Sequence, residues 1–218
     1  KLVDIGDFIG IDGVVFITKT DALTVKAEKV TVLSKNLRPI PDVKEKDGEK
    51  YNSVSDKELR YRKRYIDMII NPETKDNYIK RFKIINSIRE FLNKNGYIEV
   101  ETPVLQPVYG GANAKPFKTF HNALDQEFFL RIATELYLKQ LIVGGFEKVY
   151  EMSKDFRNEG IDRSHNPEFT MLEFYQAYSD YNFMMDFVEE MLKKVAKDLG
   201  LKKISWDGND IDLSKKFA

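Results

Sequence analysis

The chain has no cysteine, and it contains only one Trp and two His among 218 residues. The absence of cysteine excludes a disulfide framework and any metal site built on thiolate ligands. It also fits an intracellular protein, where disulfides are rare, so we expect that location.

An excess of charge of one sign is missing too, because 35 basic residues balance 35 acidic ones. A net charge near zero argues against a protein that binds nucleic acid through a basic surface overall. Basic residues gathered on one face could still bind it. No apolar run reaches the roughly 18 residues that would span a bilayer. The first residues show no signal-peptide pattern either, so we expect no membrane association. The chain does not begin with Met, so we expect it to be a piece of a longer chain.

Apolar residues are abundant, at 42% of the chain with 15 Phe and 11 Tyr, which predicts a sizeable core. The first 35 residues alternate as strands do, with Gly10 and Gly13 interrupting the apolar stretch from Phe8 to Ile17. Two or three strands of a small barrel are predicted here, too few to close one.

A change of composition follows, with Pro39 and Pro41 ahead of the mostly charged residues 42–52. This pattern predicts a linker with a mobile surface loop. Residues 57–67 are crowded with Arg and Lys around two tyrosines. They form either a solvated helix face or a contact with phosphate, and both interpretations stay open.

Three helices are marked by their ends. One begins at Asn71-Pro72 and stops at Gly96, and a second runs from about Thr134 to Gly144-Gly145. A third stops at Gly200, and its apolar stripe is predicted to pack in the core. That stripe comprises Phe183, Phe187, Met191 and Val195.

The most informative segment, 149–178, reads as two strands around a polar loop and therefore as a long antiparallel hairpin. Side chains alternate along a strand, so Leu172 and Phe174 would face the core. The opposite face would then gather Arg157, Glu159 and the residues of the other parity in the second strand. Those residues are Phe169, Met171, Glu173 and Tyr175. From composition alone, an amphipathic hairpin with a wet charged face remains an alternative.

The hairpin carries Phe156-Arg157-Asn158-Glu159-Gly160, then His165-Asn166-Pro167-Glu168-Phe169, then Glu173-Phe174. This string resembles the second motif of the class II aminoacyl-tRNA synthetases. The helix and strand over 72–103 resemble the first motif. The stretches Gly110 to Asp125 and Arg131 to Lys139 resemble those of the lysyl-tRNA synthetases in particular.

The resemblance implies an α+β fold in three parts. Residues 1–41 would be the last strands of an OB-fold barrel that binds the anticodon, and 42–70 a linker with a charged helix. Residues 71–218 would be the N-terminal half of an antiparallel-sheet catalytic domain. The family's third motif, with an ATP-binding arginine, does not occur in these 218 residues. The barrel hairpin tip has Asp21-Ala22 where the family usually has Gly-Glu.

The resemblance also implies the chemistry: a cytoplasmic homodimer, joined through about 72–103, that activates L-lysine with ATP and Mg²⁺ and transfers it to tRNA(Lys). Arg157 would be the catalytic residue, bridging the lysine carboxylate and the α-phosphate of ATP. The implied lysine-binding residues are Gly111, Glu135, Arg157, Glu173 and Tyr175. The implied ATP-binding residues are Arg157, Asn158, Glu159, His165, Asn166 and Phe169.

Some implied roles have competing explanations. His165 could instead order the loop through a hydrogen bond, and Glu135 could simply be an acidic residue favoured in the first turn of a helix. No metal ligand is identified. A paralogue that lysylates protein, or a non-catalytic module of the same fold, is the alternative function. The barrel strands argue against the first, and the presence of Arg157, Glu159 and Phe169 argues against the second.

Overall fold

The computed structural model describes residues 3–38, 40, 44–46, 49–51, 56–162 and 164–217. The chain divides into two compact units, Lys1–Ile79 and Lys80–Ala218. It combines helices with mainly antiparallel sheets, which is the α+β class. Within the described residues, no helix has both the length and the apolar character needed to cross a bilayer.

The first unit is a long hairpin followed by short helices. Its elements are β1 (Phe8–Ile17), β2 (Leu23–Ser34), β3 (Lys44–Lys46), β4 (Glu49–Tyr51), α1 (Lys57–Arg62), α2 (Arg64–Ile70) and the start of α3 (Pro72–Lys94). The pairing of β1 with β2 shifts register between Asp12 and Gly13. A Cβ on Gly13 would lie 2.1 Å from the carbonyl oxygen of Lys26, so only glycine fits this bulge. The glycine-marked bend is confirmed.

At the tip of the first hairpin, Asp21 has φ +60°, the left-handed conformation that Asp tolerates. The predicted charged loop at 42–52 lies partly outside the described residues. Within it the backbone pairs as β3 and β4, two strands that the sequence did not predict. Their charged composition hid them, because strand propensity is low for Lys and Glu.

The second unit contains the rest of α3 and all later elements. These are β5 (Ile98–Glu99), β6 (Leu105–Gln106), β7 (Lys118–His121), β8 (Gln126–Leu130), α4 (Glu135–Val143), β9 (Lys148–Phe156), β10 (Glu168–Gln176), α5 (Tyr181–Asp198), β11 (Lys203–Trp206) and β12 (Asn209–Asp212). One sheet has the order β10-β9-β5, another β6-β8-β7, and β11 pairs with β12. The bounds of α3 and α4 lie close to the predicted ones, and α5 ends two residues before Gly200, where the sequence predicted its stop.

The core of the second unit forms where α3 and α5 pack against the hairpin β9–β10. Its buried members are Phe91, Leu92, Tyr97, Tyr150, Phe187 and Met191. Leu172 and Phe174 pack against this cluster, as their parity predicted. The α5 stripe is confirmed for three of its four residues. Phe183 is 44% exposed, although its ring stacks on that of Phe187.

Candidate active site

The hairpin β9–β10 is the base of the site, and its register fixes which side chains share a face. Glu173 pairs with Glu151, and Phe169 pairs with Asp155. Directly paired residues of an antiparallel ladder point to the same side. The sequence predicted that Arg157 lies within the first strand of the hairpin. In the structure β9 ends at Phe156, so Arg157 lies just beyond the strand. Its N–H still donates to the carbonyl of Pro167, at 2.9 Å.

A cavity of about 250 Å³ opens at the loop end of this hairpin. Its lining residues are Arg157, Glu159, Gly160, Ser164, His165, Asn166 and Phe169. Five of the six predicted ATP-binding residues therefore lie around one space. The sixth, Asn158, donates its backbone N–H to the carbonyl of Lys115 at 2.7 Å. The chain leaves the strand ladder at this residue.

Arg157 and Phe169 form the wall of the cavity nearest the strands. The guanidinium carbon lies 5.1 Å from the centre of the Phe169 ring, a cation–π distance. The Nε and Nη2 atoms of Arg157 approach the carbonyl oxygen of Ile132 at 3.4 and 3.5 Å. These contacts are long, so much of the capacity of the guanidinium to donate hydrogen bonds is left for an anion.

The loop of the cavity is ordered by its own side chains. His165 Nδ1 lies 2.7 Å from Asp162 Oδ2, and Asp162 Oδ1 accepts the backbone N–H groups of Ser164 and His165. Hydrogen bonds from the Ser164 N–H and from His165 lower the pKa of Asp162. His165 thus makes the loop-ordering contact and also lines the cavity. Asn166 donates to the carbonyl of Glu168.

Glu159 contacts Lys115, a residue to which the sequence assigned no role. Its Oε1 accepts the backbone N–H of Lys115, at 3.4 Å. Lys115 therefore contacts both Asn158 and Glu159 through its backbone. A backbone contact of this kind leaves no signature in residue identity, which is why Lys115 was missed.

The four predicted lysine-binding residues other than Arg157 are brought together at the start of α4. Gly111 has φ +86°, and a Cβ there would lie 2.9 Å from the Cβ of Glu135. Tyr175 donates its hydroxyl to Glu173 Oε2 at 3.1 Å. Burial, then the nearby charges of Glu173 and Glu135, raise the pKa of Tyr175, so it stays a neutral donor. The cluster is therefore rich in acceptors for cations.

An ammonium group already contacts this cluster. Lys139 Nζ lies 2.7 Å from Glu135 Oε1 and 5.8 Å from the centre of the Tyr175 ring. Lys139 follows Glu135 by four residues on α4, a spacing that could have revealed the pair from the sequence. The carboxylate and the ring together form the kind of surface that binds alkylammonium groups.

Comparison with known proteins places this geometry in a family. Residues 56–218 match the family model described as tRNA synthetases class II (D, K and N). The chain belongs to the class II tRNA synthetases of the D, K and N group. The family match includes both the cavity and the acidic cluster.

Within the class II synthetases, the chain is similar to curated lysine–tRNA ligases. The chain is 60% identical over 199 residues to a lysine–tRNA ligase of Azobacteroides pseudotrichonymphae genomovar. CFP2, covering 91% of this chain and 40% of that protein. It is 54% identical over its whole length to a lysine–tRNA ligase of Porphyromonas gingivalis W83, covering 38% of that protein. A lysine–tRNA ligase of Pelotomaculum thermopropionicum is 55% identical over 212 residues, 97% of this chain and 40% of that protein. The chain thus spans about two fifths of the length of these relatives.

Proposed function

We propose that the protein to which this chain belongs is a lysine–tRNA ligase, which activates L-lysine with ATP and transfers it to tRNA(Lys). The observation that carries the proposal is that the hairpin β9–β10 and its loop contribute side chains to two different environments. Arg157 and Phe169 line a cavity together with polar groups of the loop, whereas Glu173 belongs to an acidic cluster with Glu135 of α4. Identity of 54% or more to lysine–tRNA ligases across both environments supports the same conclusion.

In this proposal the lysine carboxylate attacks the α-phosphorus of ATP, and pyrophosphate leaves to give lysyl-adenylate. No general base is needed, because the carboxylate is ionised at neutral pH. Arg157 bridges the carboxylate and the α-phosphate through its planar fork and stabilises the charge that develops on phosphorus. Phe169 stacks on adenine, and Glu159 accepts from the adenine amino group. The terminal hydroxyl of the tRNA then attacks the carbonyl carbon of the lysyl-adenylate, and AMP leaves with the electron pair of the broken acyl–phosphate bond, which gives the lysyl ester of the tRNA and releases the hydroxyl proton.

The acidic cluster would give the selectivity for lysine. Glu135, Glu173, Tyr175 and the carbonyl of Gly111 present acceptors to the ammonium groups of the substrate. A competitor with a neutral side chain would leave Glu173 without a cationic partner, which costs several kcal/mol of transition-state binding. Lys139 would give up its contact with Glu135 when the substrate binds.

Mg²⁺ is expected to accompany the phosphates of ATP. Among the described residues there is no group of three or more His, Asp or Glu side chains that could hold a metal ion. No residue of this chain is therefore assigned to the metal, and no step depends on one. The cytoplasmic location stays a prediction.

The decisive experiment is lysine-dependent ATP–pyrophosphate exchange by the full-length protein, compared with aspartate and asparagine. We expect exchange with lysine alone, and loss of at least a hundredfold in Arg157→Ala. Lys154→Ala is the matched control, because Lys154 is a basic residue on the opposite face of β9 and 54% exposed. The absence of exchange with lysine, or near-normal exchange by Arg157→Ala, would contradict the proposal. Charging assays with tRNA and with protein acceptors separate this enzyme from a protein-lysylating paralogue.

We also propose the homodimer through 72–103. Large apolar side chains on this stretch are exposed in the second unit, including Phe82 at 68% and Ile98 at 50%. Such a patch is typical of an association surface. Light scattering of the full-length protein should show a dimer that Phe82→Glu dissociates. Val143→Glu, at a side chain 89% exposed outside this stretch, should leave it intact.

The OB-fold assignment of residues 1–41 is likewise proposed. Apolar side chains along β1 and β2 remain exposed, among them Phe8 at 72% and Leu23 at 78%. A two-stranded hairpin cannot cover both of its faces, so further strands of the full-length protein would complete the barrel. An anticodon stem-loop titrated into the full-length protein should shift amide signals of this hairpin.

A further inference from the structure

One short stretch of chain contacts both halves of the proposed site. We name residues 131–135 the bridging segment. The carbonyl of Ile132 accepts from the guanidinium of Arg157 at 3.4 Å, on the side of the cavity. The backbone N–H of Thr134 donates to Glu173 Oε1 at 3.2 Å, on the side of the acidic cluster. A single residue, Ala133, therefore separates the residue that contacts the arginine from the residue that contacts the carboxylate.

Residues 131–134 of the bridging segment are buried, and the backbone of Arg131 fixes the segment to Val104, just before β6, and to the last residue of β9. The Arg131 N–H donates to the carbonyl of Val104, and its carbonyl accepts the N–H of Phe156, both at 2.9 Å. Ile132 and Thr134 have no exposed surface. The segment thus spans from the chain before β6 to the end of β9.

The Arg131 side chain fixes the segment a second time. Its Nε donates to the carbonyl of Lys154 at 3.0 Å, and its Nη1 donates to the carbonyl of Thr102 at 3.0 Å. Nη1 also lies 2.7 Å from Glu151 Oε1, and Nε lies 3.2 Å from Asp155 Oδ1. The side chain is 4% exposed. A single guanidinium therefore contacts two carbonyls and two carboxylates.

Only an arginine can make these contacts together. Its donors lie in one rigid plane, whereas a lysine ammonium is a compact point charge that can face one or two acceptors from this depth. The acceptors stand on β9 and on the chain at Thr102, so losing the fork would release the bridging segment from one of its supports. Nothing in the proposed chemistry brings Arg131 into contact with substrate.

From this arrangement we infer that Arg131 is a positioning residue, which sets the distance between the guanidinium of Arg157 and the carboxylate of Glu173. The inference rests on the proposed function, since that distance matters only if one substrate touches both groups. The lysine carboxylate must meet Arg157 while its ammonium group meets Glu173. A displacement of about 1 Å between such groups is enough to slow a reaction by about a hundredfold.

The test is Arg131→Lys in the full-length protein, assayed by lysine-dependent pyrophosphate exchange well below its melting temperature. We expect kcat to fall by about 30- to 100-fold, because alignment of the two groups is lost. The KM values for lysine and for ATP should stay within about threefold, because each half of the site keeps its own side chains. A kcat within threefold of the parent would overturn the inference.

Met191→Ala is the matched control for general loss of stability. Met191 is 5% exposed and belongs to the core cluster, whose described members include none of the proposed substrate-binding residues. It should lower the melting temperature and leave kcat within about twofold. If Met191→Ala lowered kcat as much as Arg131→Lys, the effect would be one of stability and the positioning role would fail.

A crystal structure of the Arg131→Lys protein gives a readout that does not depend on the substrate. The Ile132 carbonyl should move away from Arg157, or the Thr134 N–H from Glu173, relative to the parent. Both contacts unchanged would overturn the inference. If the parent showed no exchange with lysine, the proposed function would fail, whereas the crystal structure would still decide whether Arg131 sets this distance.

Discussion

Among the described residues, each unit of the chain contains a buried ionic hub, and these two hubs have opposite charge. In the first unit the hub is an anion, Asp67, whose side chain has no exposed surface. Arg60 and Arg64 approach it at 2.6 and 2.9 Å, with 36% and 32% of their side chains exposed. Asn71 and Thr74 donate further hydrogen bonds.

In the second unit the hub is the cation Arg131, and here the partners are as buried as the hub. The side chains of Glu151 and Asp155 are 5% and 0% exposed. Removing the hub of the first unit leaves arginines that water can still solvate. Removing the hub of the second unit leaves carboxylates that water cannot reach. The exposure of the partners, more than the number of contacts, therefore sets the cost of breaking such a hub.

The largest effect is expected for Arg131→Met. The substitution keeps most of the volume but leaves Glu151 and Asp155 buried without a cation. We expect a loss of about 3–5 kcal/mol in the free energy of unfolding. Denaturant unfolding of the full-length protein, followed by circular dichroism, measures it. Recovery of most of this loss in Arg131→Met combined with Glu151→Gln and Asp155→Asn would identify stranded charge as the cause, and no recovery would refute it.

A smaller loss, roughly 2 kcal/mol, is expected for Asp67→Asn. Burial alone would raise the pKa of Asp67, but hydrogen bonds from Asn71, Arg60, Thr74 and Arg64 lower it to about 2, from 3.8. A carboxyl whose pKa is lowered by folding stabilises the fold above its ordinary pKa, and this contribution is lost as pH falls through the folded value. The difference between parent and variant should therefore shrink between about pH 4 and pH 2. A difference independent of pH over that range would contradict the assignment.

The sign reverses for Asp155→Asn, for which we expect a gain of about 1 kcal/mol at pH 7. Burial raises the pKa of Asp155, against the opposing effects of Ser153 and Arg131. Among the described residues, no hydrogen-bond partner reaches its Oδ2. A raised carboxyl pKa costs stability once pH exceeds the ordinary value, so the gain should vanish in acid. A loss of stability at pH 7 would show that the charge on Asp155 is needed.

The smallest effect is expected for Lys118→Ala, which removes an ion pair with Glu127 whose members are 62% and 50% exposed. Both partners stay solvated after the change, so the loss should be below about 0.5 kcal/mol. Thermal unfolding at low and high salt measures it. A loss comparable with that of Asp67→Asn would break the rule drawn from the two hubs.

Much of the fold could be predicted because the deciding signals are local. Gly96 and Gly200 mark the ends of helices, and Pro72 marks a start. The alternation in 169–175 predicted which residues face the core. The sheet β6-β8-β7 was not predicted, since it pairs Leu105 with Leu130 and its strands are short. Pairings of this kind depend on distant residues and leave no periodic signal.

In the candidate site too, residues that a local motif specifies could be predicted, whereas contacts that depend on the tertiary structure could not. The sequence identified side chains that a motif specifies, such as Arg157 and Phe169. It missed the contacts made by backbone atoms at Lys115, Ile132 and Thr134, because any residue supplies an N–H and a carbonyl. The sequence also assigned no role to Arg131, which was noted only as the first residue of a stretch that resembles the lysyl-tRNA synthetases.

By itself, the sequence determined the helices, the long hairpin and the two faces of that hairpin, because these follow from spacing and from residues with restricted backbones. The tertiary structure alone decided which charges are buried together. Asp67 and Asp155 are the same residue type, yet folding lowers the pKa of one and raises that of the other. The physical reason is that a carboxylate surrounded by donors is stabilised in its charged form, whereas one removed from water with too few donors is not.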